Sequence, residues 1–340
     1  MSGSSGATGA SVKPDRRPAK LHFSQDRIVL SIAAIIFVLF SVALPGFIAS
    51  KNLLSLLQSV SILGVLSVGM SLTIIGRGID LAMISTMAMS VSWVLFLTAN
   101  GVGIGQAMFY GYLFVVCIGL VMGWLIAYAE VPAIFATLAM TAVIYGFTRV
   151  AFVDIDLVFL PPEVAWIQDI GGGYFLGIPV PVIAFAVVAL LSHLFLTYAR
   201  LGVYLRGMGD NPAAARIAGF PNRPMIVLQY LISSTVAFAA GLLMASLVGT
   251  MNTRLVNSTM IYDVILVVVL GGVVLSGGRG GIFNVIVGTL LIGILLNGMT
   301  IMNLGYSIQN LIKGAILLIA ILVDSYLNPR DEQTSQQGDI

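Results

Sequence analysis

Residues 199–224 read ARLGVYLRGMGDNPAAARIAGFPNRP. This long, arginine-bearing polar stretch interrupts a chain that is otherwise a succession of apolar runs. A run of about 18 or more apolar residues with few charges suits a membrane span. Runs of that character, some shorter, lie at 28–48, 54–75, 81–99, 107–129, 133–153, 176–198, 225–249, 262–276, 282–302 and 309–326. The reading is an all-α polytopic membrane protein of about ten transmembrane helices, with cytoplasmic N- and C-termini and a lipid bilayer around it. Composition agrees, with 59% hydrophobic and 9% charged residues and a mean hydropathy of +1.04. A soluble domain carries roughly 25% charge, and nothing here suggests a nucleic-acid partner.

The charges test the orientation independently. Predicted cytoplasmic segments hold Lys13, Arg16, Arg17, Lys20, Arg27, Arg77, Arg200, Arg206, Arg216, Arg223, Arg279 and Arg330, twelve in all, while Lys51, Arg149, Arg254 and Lys313 make four on the other side. The long outer loop carries Asp154, Asp156, Glu163 and Asp169 without a Lys or Arg. Cytoplasmic loops of membrane proteins carry such an excess of Lys and Arg. The expected organisation is a disordered cytoplasmic tail over 1–27, a transmembrane domain over 28–327 with its loop at 199–224, and a cytoplasmic tail over 328–340. Residues 1–27 read as retained, because no short apolar core is followed at once by a small-residue cleavage site. Cys117 is the single cysteine, so an intrachain disulfide is excluded.

Within the loop, Asp210-Asn211-Pro212-Ala213-Ala214-Ala215-Arg216-Ile217-Ala218-Gly219 spells a short helix with both ends marked. Asn211 or Asp210 can cap its free N–H groups. Pro212 suits the first turn, and Gly219 the left-handed stop. Two turns are too short to be stable alone in water. The physics leaves two readings open, a docking element held by its flanks or a partner, and a solvated loop with a turn of helix. Two descending helices end in Gly76-Arg77-Gly78 and Gly277-Gly278-Arg279-Gly280-Gly281. Paired interruptions of this kind can mark a repeat around a transport path, and they also suit two ordinary glycine turns.

Ionisable groups within a membrane are candidates for function, here Asp80, Asp263, Lys313 and Asp324. Asp80 suits either a cap on the third helix, where a carboxylate favours the helix dipole, or a place along a path. Asp263 and Lys313 are assigned no pairing. Gln58, Asn257, Asn297, Asn303 and Asn310 offer neutral donors and acceptors to a polar solute, and equally to neighbouring helices. His193 stands alone in an apolar run. No cluster has metal-ligand spacing, so no catalytic residue, metal or cofactor is assigned. No G-x-x-x-x-G-K-S/T run is present, so this chain does not cradle nucleotide phosphates by that route.

At the loop the chain resembles the membrane permease subunit of bacterial sugar ABC importers, the ribose-type branch. Gly209 through Gly219 match that family's loop. Leu270-Gly271-Gly272-Val273, Ser276-Gly277-Gly278-Arg279-Gly280, Gly288-Thr289-Leu290-Leu291, Asn297-Gly298-Met299, Lys313-Gly314-Ala315 and Val323-Asp324 match its C-terminal half. Gly78-Ile79-Asp80-Leu81 and Pro132-Ala133-Ile134-Phe135-Ala136-Thr137-Leu138 are similar to upstream elements. The chain departs from the family at Ala82-Met83-Ile84-Ser85 and at Tyr145-Gly146.

The resemblance implies a permease subunit, not itself an enzyme, in the bacterial inner (cytoplasmic) membrane. It would move a small, ribose-like sugar or polyol from periplasm to cytoplasm. The implied partners are an ATP-binding-cassette ATPase subunit, a periplasmic sugar-binding protein and a second permease chain, in a homodimer or heterodimer. Asp210, Asn211, Pro212, Arg216 and Gly219 would form the ATPase-coupling helix, and Asp80, Gln58, Asn257, Asn297 and Asn303 are candidates for the translocation path. Two other readings remain at this point. An ion-coupled secondary transporter would use Asp80 or Asp263 as a proton relay, and an intramembrane enzyme would want clustered carboxylates, approached only by Asp154-Ile155-Asp156.

Overall fold

A computed structural model describes residues 25–327; the tails expected over 1–24 and 328–340 lie outside them. Every apolar run forms a helix over most of its length. In chain order these are α1 (Gln25–Ala43), α2 (Ser50–Ile75), α3 (Met83–Ala99), α4 (Ile104–Ala127) and α5 (Ala133–Ala151). A short mixed segment follows, made of strand β1 (Leu157–Phe159), helix α6 (Trp166–Gly171) and the strands β2 (Tyr174–Phe175) and β3 (Ile178–Pro179). Then come α7 (Val180–Tyr198), α8 (Arg200–Asp210), α9 (Pro212–Ile217), α10 (Asn222–Val248), β4 (Thr250–Asn252), α11 (Met260–Gly271), α12 (Ile282–Ile301) and α13 (Tyr306–Leu327).

Seven of these helices are long and apolar enough to cross a membrane, and the apolar stretches 28–43, 83–99 and 260–271 are shorter. Among the described residues, seven of the ten expected spans are therefore long enough by themselves. The physical reasons are local. The run 262–276 stops at Gly271 because Gly272 turns left-handed, with φ 98°. At 1.5 Å per residue, the 12 residues of α11 cover about 18 Å, short of a hydrocarbon core of about 30 Å. The run 28–48 ends its helix at Ala43, while α1 begins at Gln25, inside the stretch read as tail. Residues 176–179 are not helical: Leu176 and Gly177 turn the β2–β3 hairpin with φ 52° and 79°, and Pro179 and Pro181 follow.

Helix α2 is the axis of the fold. From Val60 to Ile75 every residue is buried, and a helix apolar all round belongs inside a bundle. It packs against α7, α10, α11 and α12. Glycines allow the closest approaches: a Cβ at Gly119 or Gly123 of α4 would press on the α10 backbone at Leu231 or Val227. Small residues serve membrane helices in this way because packing, not hydrophobicity, drives their association. Helix α13 is the opposite case, with most of its face exposed.

In that segment β1 pairs antiparallel with β4, Leu157 opposite Asn252. Arg149 and Arg254 both reach Asp156 there, which gives one of the predicted outer acidic residues its cationic partners.

Candidate functional site

Three segments meet at one end of the bundle. Helix α2 ends in a left-handed Arg77, φ 66°, with Gly78 N–H donating to Thr73 O at 2.7 Å. The α11–α12 turn docks on this end: Gly278 N–H donates to Ile75 O at 2.9 Å, and Arg77 Nε donates to Ser276 O at 2.9 Å. Gly277 and Gly278 adopt φ of 89° and 73°. A side chain at Gly278 would press on the Asp210 backbone, and one at Gly209 on the Ile75 carbonyl. The two glycine-arginine turns therefore form one junction, and the end of α8 lies in it. Burial lowers the pKa of the Arg77 guanidinium, and Asp210 offsets part of that shift.

The sequence reads as loop over 199–210, whereas residues 200–210 form α8. Its buried residues are Gly202, Leu205, Met208 and Gly209, a helical spacing that is the signal for it in retrospect. Asp210 ends α8 and does not cap the next helix. Asn211 does, accepting from Ala214 N–H at 2.9 Å. Pro212 opens α9, and its carbonyl accepts from Asn222 Nδ2 at 3.0 Å. Gly219 closes the turn with φ 80° and Phe220 N–H returns to Ala215 O at 2.9 Å. The Phe220 ring sits 4.5 Å from that of Tyr204 on α8. One face of α9 is thereby fixed through Ala215, while Ala213, Ala214, Arg216 and Ile217 are exposed. Ile217 is 88% exposed, an apolar side chain whose placement the sequence reading did not anticipate.

A family model described as branched-chain amino acid transport system / permease component matches residues 52–321. The chain belongs to this permease family. The permease is 32% identical over 290 residues to the ribose import permease protein of Bacillus subtilis (strain 168), covering 85% of this chain and 89% of that one. It is 31% identical over 290 residues to the ribose import permease protein of Escherichia coli (strain K12), with 83% and 88% covered. To the L-arabinose ABC transporter permease protein of Azospirillum brasilense it is 32% identical over 302 residues, with 88% and 87% covered. No solved structure matches it. It is a multi-pass inner-membrane permease subunit, not an enzyme, and its family implies a separate ATPase and a substrate-binding protein as partners.

The permease does not gather the five candidate path residues. Asp80 lies at the junction end, fully buried, with Oδ1 accepting from Ala82 N–H at 3.0 Å and Oδ2 from Ser233 Oγ at 2.6 Å. It holds the α2–α3 turn to α10 and faces the first turn of α3. The others lie toward the opposite end. Gln58 is half-buried in the first part of α2. Asn297 exchanges amide hydrogen bonds with Asn52 at 2.9 and 3.0 Å. Asn257 and Asn303 are exposed, the latter with φ 54°.

The permease also pairs two residues that the sequence left apart. Lys313 of α13 meets Asp263 of α11, one turn below a contact of Thr259 with Tyr306 and Asn310. Among the described residues no three His, Cys, Asp or Glu side chains group as metal ligands.

Proposed function

We propose that this permease carries a small sugar or polyol, ribose-like in size and polarity, from periplasm to cytoplasm in an ABC importer. The ATPase would seat on the exposed face of α9, with Asp210, Asn211, Pro212, Arg216 and Gly219 shaping and presenting that helix. A second permease chain, the same or a sister, would complete the membrane portion. All ten apolar helices would cross the bilayer, with both termini in the cytoplasm. ATP binding would bias two arrangements of the permease through differential affinity, which is how a ligand shifts a conformational equilibrium.

The observation that carries this reading is α9 itself. It is a capped helix of 6 residues, too short to persist alone, yet it is held against α8 with an apolar tip and one cation turned outward. The ribose and arabinose permeases matched over most of their length supply the substrate class.

The test is a pull-down of the tagged chain in mild detergent from its own host, combined with uptake of labelled ribose and arabinose into cells. An ATPase that co-purifies, and is lost when residues 210–219 are scrambled in a chain that still folds, supports the proposal. A folded chain that sustains uptake without an ATPase, and stops when an uncoupler is added at constant ATP, would replace it with an ion-coupled transporter.

A further inference from the structure

An open groove of about 540 Å³ runs between α4 and α10, lined by Leu120, Val121, Trp124, Tyr128, Pro224 and Val227. Its floor follows from sequence. Gly123 lets α4 approach so closely that a Cβ there would meet the Val227 backbone, and the larger side chains on either side stand up as walls. The walls belong to two helices long and apolar enough to cross a membrane, and an apolar slot between such helices suits a hydrocarbon chain. At the mouth, next to the α9 end of the molecule, stands Arg223. Its guanidinium donates to Glu130 Oε1 at 2.7 Å and lies 5.6 Å from the centre of the Tyr128 ring. The side chain remains 48% exposed, and an arginine carries five N–H donors in a fixed fork.

We infer that this groove is a binding site for an anionic glycerophospholipid, with one acyl chain along Trp124 and Val227 and the phosphate on Arg223. The two requirements of such a ligand are both present and in the right order along the bundle. An acyl chain needs an apolar slot open to hydrocarbon, and a headgroup phosphate needs a cation at the interface with donors to spare. Tyr128 and Trp124 add amphipathic rings of the kind enriched at that depth. Glu130 holds Arg223 in place and also competes for it, so the carboxylate sets the selectivity for charge. This site is independent of the import reading and of α9 docking.

The experiment is native mass spectrometry of the delipidated full chain titrated with phosphatidylglycerol or phosphatidylcholine of identical acyl chains. Wild type retains phosphatidylglycerol preferentially. Arg223→Gln lowers that retention about fivefold, the scale of one basic residue at an anionic membrane surface, and leaves phosphatidylcholine unchanged. Glu130→Gln, which releases the arginine, raises phosphatidylglycerol retention. Leu120→Trp, which fills the slot, lowers retention of both lipids. Equal retention of the two lipids by wild type, or a preference untouched by Arg223→Gln and Glu130→Gln, overturns the assignment.

Discussion

Lys313 Nζ lies 2.7 and 2.9 Å from the two carboxylate oxygens of Asp263, across the seam between α11 and α13. Both side chains are largely buried, and little else of α13 is. Removing one partner of a buried pair strands the other charge, at about 3–5 kcal/mol, whereas replacing both by apolar residues is often neutral. Lys313→Met and Asp263→Leu should each lower the unfolding temperature of the detergent-solubilised chain, and the double variant should recover most of the loss. A double variant no better than the singles would mean that α13 is held by something else.

The Asp80–Ser233 contact gives a second, graded expectation. Ser233→Ala removes one hydrogen bond to a charged group, worth about 1.5–3 kcal/mol. Asp80→Ala removes that bond together with the one from Ala82 N–H, so it should destabilise more. Because the residues touch, the double variant should resemble Asp80→Ala alone, not the sum. Denaturation midpoints of the four proteins decide the matter, and strict additivity would argue against a shared interaction.

What could be read from residue order was whatever a single segment determines. The helices follow from apolar runs, and α9 from Asn211, Pro212 and Gly219, because caps act within a few residues of themselves. Helix α8 escaped because Gly202, Gly207 and Gly209 look like loop until Gly209 is seen against Ile75, where only a glycine fits. The Lys313–Asp263 pair escaped because it depends on α11 lying beside α13, a fact of packing and not of spacing. The β2–β3 hairpin has two residues per strand, too few for an alternating pattern.

The two loop glycines should fail in different ways. A Cβ at Gly209 would collide with the Ile75 carbonyl oxygen, while one at Gly219 would meet nothing within 4 Å. Gly209→Ala should therefore disrupt the junction, seen as a large loss of monodisperse protein on size-exclusion chromatography. Gly219 costs a substitution only its left-handed backbone, roughly 1–2 kcal/mol for an ordinary residue and less for asparagine. Gly219→Val should fold but lose ATPase recovery and uptake, and Gly219→Asn should keep more of both. Equal uptake in these two variants would separate the left-handed stop from coupling.

The short helix α11 has the most consequential topology. Helices α8 and α9 and the turn at Gly278 share one end of the molecule, where Gly209 lies against Ile75 of α2 and Gly278 against Asp210. Helix α10 leaves that end and runs 27 residues; α12 also leaves it and runs 20. The chain must return between them, and α11 is the element that does so. Its 12 helical residues cover about 18 Å. Residues 272–281 are non-helical and fold into a turn at that end, with Gly277 N–H donating to Val274 O at 3.0 Å and Val274 N–H to Arg279 O at 3.3 Å. Such backbone is tolerated at membrane depth only where protein satisfies it, and Gly271 accepts from Asn284 Nδ2 at 3.0 Å there. Asn257 and Arg279, both exposed, flank this crossing. In a Cys117→Ala background, Asn257→Cys should react with an impermeant maleimide in intact spheroplasts, and Arg279→Cys only after lysis. If both label from one side, α11 does not cross and the count of ten falls.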